Sequence, residues 1–214
     1  MNNTQHIYDS LYQSAIDQGW ACWGGDDRIH QGLSQLERIL SPSFVPKSGY
    51  ILELGCGEGH LCRLFSSCGY DVTGVDISAV AISWANDKEQ HYHSNIRYLQ
   101  ADLAKPNFEL NTSFDLIVDG NCLHCIIGDS RKIFLKNVHD LLVDNGIFFI
   151  SSLCSKTEQN QILMHDDIPY RFIPIPEGIT TELENADFMI IETVVHQRSE
   201  YDHINLFLRK MANK

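Results

Sequence analysis

Residues 50–60 constrain the fold of this 214-residue chain more than any other part of the sequence. An apolar run leads into the acidic residue Glu53, and three glycines then alternate with other residues before a helical pattern begins. Glycine permits positive φ angles and leaves no Cβ between the backbone and a ligand, so this pattern predicts a strand, a tight turn and a helix that form a nucleotide-binding corner. Because Glu53 places negative charge at the end of the strand, the corner favours a ligand with an ammonium group over a diphosphate.

Beyond this corner the apolar pattern alternates between strands and helices, which predicts a parallel sheet covered on both faces. The predicted elements are helix 60–68, strand 70–75, helix 78–88, strand 96–99, strand 114–118, a helix from 129 or 130 that ends at Asn145-Gly146, and strand 147–151. Residues 153–178 are predicted to be irregular, with a short helix near 179–186. Strands 188–195 and 204–209 then form an antiparallel pair.

The spacing of Glu53, Gly55, Gly57 and Gly59 resembles the first motif of the class I S-adenosylmethionine-dependent methyltransferases. A dinucleotide-binding Rossmann domain begins similarly, but its fingerprint is G-x-G-x-x-G, whereas these glycines follow G-x-G-x-G. The antiparallel ending also fits the methyltransferase fold better. The resemblance implies an α/β fold, a Rossmann-like doubly wound sheet of seven strands that is mostly parallel with an antiparallel C-terminal strand.

The same resemblance implies a domain organisation. We expect one methyltransferase domain over residues 1–214. Within it, residues 1–45 form an N-terminal helical cap and residues 153–183 form a substrate-side insertion.

The resemblance further implies which residues bind S-adenosylmethionine. Asp76 would accept hydrogen bonds from both ribose hydroxyls, an arrangement suited to a vicinal diol, although a strand-end aspartate also caps helices. Ile77 would pack against adenine, Asp102 would accept from the adenine amino group, and the Leu103 N–H would meet a ring nitrogen. Glu53 would bind the cofactor's amino group, often through water, or else organise the glycine turn. Backbone carbonyls of Asp119 and Gly120 would accept from the methionine ammonium. The predicted cofactor residues are Glu53, Gly55, Cys56, Gly57, Gly59, Asp76, Ile77, Asp102, Leu103, Asp119 and Gly120.

On the acceptor side, His124 is the candidate catalytic residue. Methyl transfer from a sulfonium is an in-line displacement, and a general base is needed only when the acceptor is protonated and weakly nucleophilic. His124 would act as that base or would simply pack beside the cofactor.

Two other clusters are interpreted as structural. Cys122 and Cys125 form a C-x-x-C pair, but a zinc site normally takes four ligands and no second pair has suitable spacing. We therefore predict packing and no metal. The segment His91-Tyr92-His93 is interpreted as a polar loop.

Aromatic residues at the N-terminus and a segment after the fifth strand are the candidate substrate contacts. Tyr8, Tyr12, Trp20 and Trp23 would close over the cofactor, or would anchor the first helix against the sheet. Residues 165–172, which include Tyr170 and Arg171, would line the acceptor site or form a solvated connection.

Composition limits the partners. The chain has 16 Lys and Arg against 28 Asp and Glu, a net charge of −12, and no basic run, so nucleic acid is not an expected substrate. Seven cysteines, no secretory signal and no apolar segment of about 20 residues lead us to expect a cytoplasmic protein without a membrane partner.

The function expected from these observations is methyl transfer to a small molecule, because the core fold accounts for nearly the whole sequence and leaves no added domain to recognise a macromolecule. The expected assembly is a monomer or homodimer. The alternative functions are a protein methyltransferase and a non-catalytic module that binds S-adenosylmethionine.

Overall fold

The computed structural model describes residues 3–92, 94, 96–106 and 108–211. The chain divides into two compact units, Met1–Asp102 and Leu103–Lys214, which are described in turn. The single-domain organisation inferred from the resemblance stays a prediction. None of the helices in the described ranges combines the length and the apolar character needed to cross a membrane.

The described part of the first unit contains four helices and three parallel strands. The elements are α1 (Asn3–Asp17), α2 (Asp26–Leu40), β1 (Tyr50–Leu54), α3 (His60–Ser67), β2 (Asp71–Asp76), α4 (Ala79–Tyr92) and β3 (Arg97–Gln100). Strand β2 lies between β1 and β3 and pairs in parallel with both. Residues 51–54 of β1 are all buried, as expected for a strand covered on both faces.

Asp9 fastens helix α1 to the start of α4. Its Oδ1 accepts a hydrogen bond from Ser78 Oγ at 2.6 Å and a longer one from the Val80 N–H at 3.4 Å. The hydroxyl of Ser78 in turn accepts from the Ala81 N–H at 3.1 Å and so caps α4. The N-terminal segment is therefore tied to the sheet through a helix cap.

The described part of the second unit contains two helices, a short 3-10 turn and six strands. The elements are β4 (Phe114–Gly120), the 3-10 turn (Leu123–Cys125), α5 (Ser130–Leu141), β5 (Leu142–Cys154), β6 (Gln161–His165), β7 (Ile168–Ile173), α6 (Pro176–Glu184), β8 (Phe188–His196) and β9 (Asp202–Lys210). Strand β5 is parallel to β4, and β9 lies antiparallel between β5 and β8. The main-sheet strands follow the order β3-β2-β1 in the first unit and β4-β5-β9-β8 in the second, seven strands in all, so the predicted α/β fold with its antiparallel C-terminal strand is confirmed.

The prediction that residues 153–178 are irregular is wrong. Strand β5 continues to Cys154, and β6 and β7 form an antiparallel hairpin. Asp166 and Asp167 close this hairpin with φ angles of 46° and 63°, the left-handed pair that a two-residue turn requires. Pro169 argued against a strand, but a two-stranded sheet has free edges on which proline is tolerated. Proline also begins the following helix, which starts at Pro176, earlier than predicted.

Two smaller predictions also need correction. Helix α5 ends at Leu141 and β5 begins at the next residue, so Asn145-Gly146 lies within the strand instead of stopping the helix. His91 and Tyr92 belong to α4 and not to a loop, while His93 lies outside the described residues.

Arg131 on α5 joins four parts of the second unit. Its guanidinium donates two bonds to Glu182 on α6, at 2.8 Å from Nε and 2.6 Å from Nη2. Nη1 donates to the carbonyl oxygens of Leu123 and Ile126 at 2.6 and 3.0 Å, and Cζ lies 4.9 Å from the ring centroid of Phe172 on β7. The side chain is buried, so these partners take the place of water around the charge.

Replacing Arg131 with Met should lower the free energy of unfolding by about 3 kcal/mol, because Glu182 and two carbonyl oxygens lose their donor inside the protein. Denaturant unfolding monitored by circular dichroism measures this loss. Lys136→Met on the same helix removes the exposed ion pair with Asp140 and should cost less than about 0.5 kcal/mol. Equal, small losses for both variants would contradict a structural role for the Arg131 contacts.

Candidate functional site

Three glycines with positive φ angles shape the turn between β1 and α3. The φ angles are 64° at Gly55, 56° at Gly57 and 78° at Gly59. A Cβ added at Gly59 would lie 2.3 Å from Tyr98 Oη, and one at Gly57 would lie 3.1 Å from Tyr12 Oη. The turn therefore needs glycine both for its backbone angles and for the close approach of two phenols.

Asp76 closes β2 with its carboxylate turned toward the glycine turn. Oδ2 accepts from the Gly57 N–H at 2.9 Å and from Tyr12 Oη at 3.3 Å, while Oδ1 accepts from the Ser78 N–H at 2.9 Å. The residue is 5% exposed, and this burial raises its pKa to about 6 although the three donors favour the charged form. The sequence-predicted neighbours Gly57 and Asp76 are thus brought into direct contact.

Glu53 is buried beside the thiol of Cys62 on α3. Its Oε2 accepts a hydrogen bond from Cys62 Sγ at 2.8 Å. Burial raises the pKa of Glu53 to about 8, so at pH 7 the carboxyl is mostly protonated in this structure. The negative charge assumed from the sequence is therefore suppressed here. Cys56, inside the glycine turn, is also buried and its pKa is raised to about 11 by the same desolvation.

The four N-terminal aromatic residues separate into different environments. Tyr12 contacts Asp76, and its ring centroid lies 4.8 Å from that of Trp23. The backbone N–H of Trp23 donates to Glu58 Oε2 at 3.4 Å. Tyr8 is buried on α1, whereas Trp20 is 41% exposed. The structure thus brings Tyr12 and Trp23 to the glycine corner and leaves Trp20 at the surface.

The other residues predicted to contact the adenine of S-adenosylmethionine follow strands β2 and β3 in the sequence. Ile77 is partly buried, and its carbonyl oxygen accepts from the Gln100 side chain at 3.4 Å. Asp102 follows β3 and is partly buried, and Leu103 is buried. Their contacts with adenine stay predictions.

In the second unit, the carboxylate of Asp119 closes the turn that follows β4. It is fully buried; Oδ1 accepts from the Cys122 N–H at 2.5 Å and Oδ2 from the Leu123 N–H at 2.7 Å. Burial raises its pKa to about 7. Asn121 adopts a φ of 89° to complete the turn, and Gly120 is buried at the end of the strand. Sequence reasoning assigned the backbone of Asp119 to the methionine ammonium and its carboxylate to attraction of the ammonium or sulfonium, and it missed the side chain's bonds to the turn.

His124 lies in the 3-10 turn with its ring buried. Its Nδ1 accepts from the Leu153 N–H at 3.5 Å and lies 3.4 Å from Ser152 Oγ. The Leu153 contact favours the neutral tautomer that carries its proton on Nε2, and in that tautomer Nε2 is a hydrogen-bond donor. The flanking thiols of Cys122 and Cys125 are half-buried. Within the described ranges no three His, Cys, Asp or Glu side chains form a group that would hold a metal ion.

The β6–β7 hairpin carries the two acceptor candidates of the second unit. Arg171 Cζ lies 5.1 Å from the ring centroid of Tyr170, whose ring lies 5.7 Å from that of His165. Strand β7 packs against the 3-10 turn, and Arg131 connects the two. The hairpin therefore lies on the turn that carries His124. The sequence signals for Arg131 were weak, since its partner Glu182 is 51 residues away.

Comparison with known proteins gives consistent matches. Residues 51–146 match the profile of a family described as a methyltransferase domain. An uncharacterized methyltransferase of Schizosaccharomyces pombe is 33% identical over 99 residues, which are 46% of this chain and 68% of the relative. The eEF1A lysine and N-terminal methyltransferase of Mus musculus is 25% identical over 113 residues, which are 52% of this chain but only 16% of that protein.

A solved structure matches over nearly the whole chain. It is the Burkholderia thailandensis 1,6-didemethyltoxoflavin-N1-methyltransferase with bound 1,6-didemethyltoxoflavin and S-adenosylhomocysteine. The TM-score is 0.74 at 18% identity, and the match covers 97% of this chain and 91% of that one. At this identity the match shows the fold.

The raised pKa of Glu53 predicts a pH-dependent stability. A carboxyl whose pKa is higher in the folded state stabilises the protein below its unfolded value, and that contribution is lost as the pH rises through the folded value of about 8. Asp76 and Asp119, with values of about 6 and 7, act in the same direction at lower pH. We expect the melting temperature to fall as the pH rises from about 5 to about 8.5.

Glu53→Gln should flatten the upper part of this fall, between about pH 6.5 and 8.5, because the amide cannot ionise yet still accepts from Cys62. Thermal unfolding at a series of pH values measures the effect. Asp71→Asn, at the exposed start of β2, is the matched control and should keep the wild-type profile. A Glu53→Gln profile as steep as that of the wild type would contradict the buried, protonated carboxyl.

Proposed function

The chain belongs to the class I S-adenosylmethionine-dependent methyltransferases, and on that premise we propose that it transfers the donor methyl group to a small-molecule acceptor by in-line displacement. It is therefore an enzyme of the methyltransferase class, and its cofactor is S-adenosylmethionine. The acceptor and the residues that bind each reactant are the proposed part.

The observation that carries the donor site is the carboxylate of Asp76 under the glycine turn. Backbone N–H groups of Gly57 and Ser78 fix both of its oxygens at the end of β2. A carboxylate held in this way presents fixed acceptors to a vicinal diol, which supports the proposed contact with the donor ribose. At the same corner, we propose that Gly55 and Gly59 shape the turn that receives the cofactor and that Ile77 packs against its adenine. Those of Asp102, Leu103, Asp119 and Gly120 stay predictions from the family motifs.

Packing in the second unit supports a small acceptor. The β6–β7 hairpin lies on the 3-10 turn, and His124 beneath it is buried. An enclosed turn suits a small molecule, and it would exclude water from the transfer. A protein acceptor would need an exposed groove instead. That alternative is supported by the similarity to the mouse eEF1A methyltransferase, although this chain covers 16% of it.

The tautomer of His124 refines its proposed role. Because Nδ1 accepts from the backbone, a neutral ring offers the Nε2 proton to a partner. Such a ring would orient the methyl acceptor by donating the Nε2 proton to one of its lone pairs. To act as a general base through Nε2, the ring would first have to move its proton to Nδ1. We therefore propose that His124 aligns the acceptor.

We also propose a cytoplasmic location, in which the cysteine thiols stay reduced. A monomer or homodimer remains the predicted assembly.

Asp76→Asn should weaken binding of S-adenosylhomocysteine by about 10- to 100-fold, because a charged acceptor of two hydroxyl protons is replaced by a neutral amide. Isothermal titration calorimetry measures the change. Asp71→Asn, at the other end of β2, is the matched control and should bind as the wild type does. Wild-type affinity in Asp76→Asn would contradict the ribose contact.

A pooled metabolite extract incubated with the enzyme and methyl-labelled donor tests the acceptor class. Label in the low-mass fraction is the expected result. Label only in the protein fraction would favour the protein methyltransferase, and no label in either, with donor binding intact, would favour the non-catalytic module. With an acceptor in hand, His124→Ala should lower kcat by about 10- to 100-fold and leave S-adenosylhomocysteine affinity unchanged. An unchanged kcat would leave His124 with a packing role only.

A further inference from the structure

We infer that Tyr12 competes with the donor ribose for the carboxylate of Asp76 and thereby lowers the affinity of the protein for its donor. The inference rests on the proposed ribose contact of Asp76 and adds a residue that opposes it. It concerns groups of the first unit alone.

The competition follows from the number of acceptor positions on Asp76. A carboxylate offers about four lone-pair positions, two on each oxygen. Gly57 and Tyr12 use both positions on Oδ2, and Ser78 uses one on Oδ1. One position is left, whereas a ribose diol that donates from both hydroxyls needs two. One of the three hydrogen-bond donors must therefore release the carboxylate when the ribose binds.

Of the three hydrogen-bond donors to Asp76, Tyr12 is the one that can release the carboxylate. The Gly57 and Ser78 donors are backbone N–H groups set by the glycine turn and by the start of α4, and both bonds are 2.9 Å long. The Tyr12 bond is longer, at 3.3 Å, and comes from a side chain that can rotate. Asp9 holds α1 against α4 through Ser78, so the hydroxyl of Tyr12 can leave while the helix stays in place.

The position of Tyr12 also covers the approach to the corner. Its hydroxyl lies 3.1 Å from the place that a Cβ on Gly57 would occupy, and its ring packs against Trp23. Asp76 is only 5% exposed, so a ribose reaches the carboxylate after a covering group has moved. Tyr12 is the covering side chain that is bonded to the carboxylate. It acts on donor binding and is not a catalytic residue.

Tyr12→Phe should tighten binding of S-adenosylhomocysteine by about tenfold. Phe keeps the ring contact with Trp23 but leaves two acceptor positions of Asp76, one on each oxygen, open to the two ribose hydroxyls. Calorimetric titration of the purified chain gives the dissociation constants. Tyr70→Phe is the matched control, because it removes another phenol hydroxyl of the first unit. That hydroxyl donates to the carbonyl oxygen of Pro46 at 2.7 Å and makes no bond to Asp76. The affinity of Tyr70→Phe should stay within twofold of the wild type, about the precision of such titrations.

The gain should be confined to ligands with both ribose hydroxyls. A 2′,3′-dideoxyribose analogue of S-adenosylhomocysteine should bind Tyr12→Phe and the wild type equally. Equal affinity of the two proteins for S-adenosylhomocysteine itself, or weaker binding by Tyr12→Phe, would overturn the inference. A wild-type protein that binds no S-adenosylhomocysteine would instead overturn the proposed donor site.

A second measurement keeps the hydroxyl and covers the case in which Tyr12→Phe does not fold. The chain has three tryptophans, so Trp20→Phe with Trp84→Phe leaves Trp23 as the reporter beside Tyr12. Saturation with S-adenosylhomocysteine should shift the Trp23 emission, because Tyr12 changes position against its ring. Emission that does not change while calorimetry records binding would overturn the inference.

Discussion

The carboxylate of Asp76, almost removed from water, is the group around which the first unit is organised. Burying a charge is unfavourable unless hydrogen-bond donors replace the lost water. Those donors exist here only because the glycine turn points the Gly57 N–H at the carboxylate and because α4 begins immediately after Ser78. The glycine spacing, the strand-end aspartate and the helix start are therefore three parts of one arrangement, and a change in any of them leaves Asp76 without its partners.

The second unit solves the same electrostatic problem with other groups. Asp119 is buried at the end of β4, and N–H groups of the following turn satisfy it. Arg131 is buried too; its guanidinium pairs with Glu182, and Nη1 donates to the carbonyl oxygens of Leu123 and Ile126. The turn that carries His124 is thus held by the carboxyl group of Asp119 through its N–H groups and by the guanidinium of Arg131 through its carbonyl oxygens. This leaves the imidazole little freedom, which suits a residue that aligns a reactant.

Local patterns were enough to predict the strands of the seven-stranded sheet, most helices and the glycine corner, because period, glycine spacing and strand-end acids are properties of adjacent residues. The hairpin was missed because Pro169 argues against a strand and because the left-handed angles of Asp166 and Asp167 are rare outside glycine. Arg131 was missed for a different reason. An arginine on an amphipathic helix normally lies in water, and only the fold brings Glu182 to it.

The charge of Glu53 was misjudged for the same reason as Arg131. An acid in a sequence is read as an anion, but whether it ionises depends on burial, which the sequence does not display. Here burial raises the pKa of Glu53 and keeps the proton on the carboxyl, although the hydrogen bond from Cys62 favours the charged form. The glycine corner thus keeps its predicted backbone and loses one predicted charge.

Strand β9 follows β8 in the sequence but lies between β5 and β8 in the sheet. During translation, β5 and β8 are both synthesised before the strand that joins them. Until β9 leaves the ribosome, each presents an open edge, and β8 also carries the exposed apolar side chains of Val194 and Val195. Such edges are templates for pairing with other chains. Residues 197–210 therefore decide how long these edges stay open, because only the docking of β9 between β5 and β8 closes them.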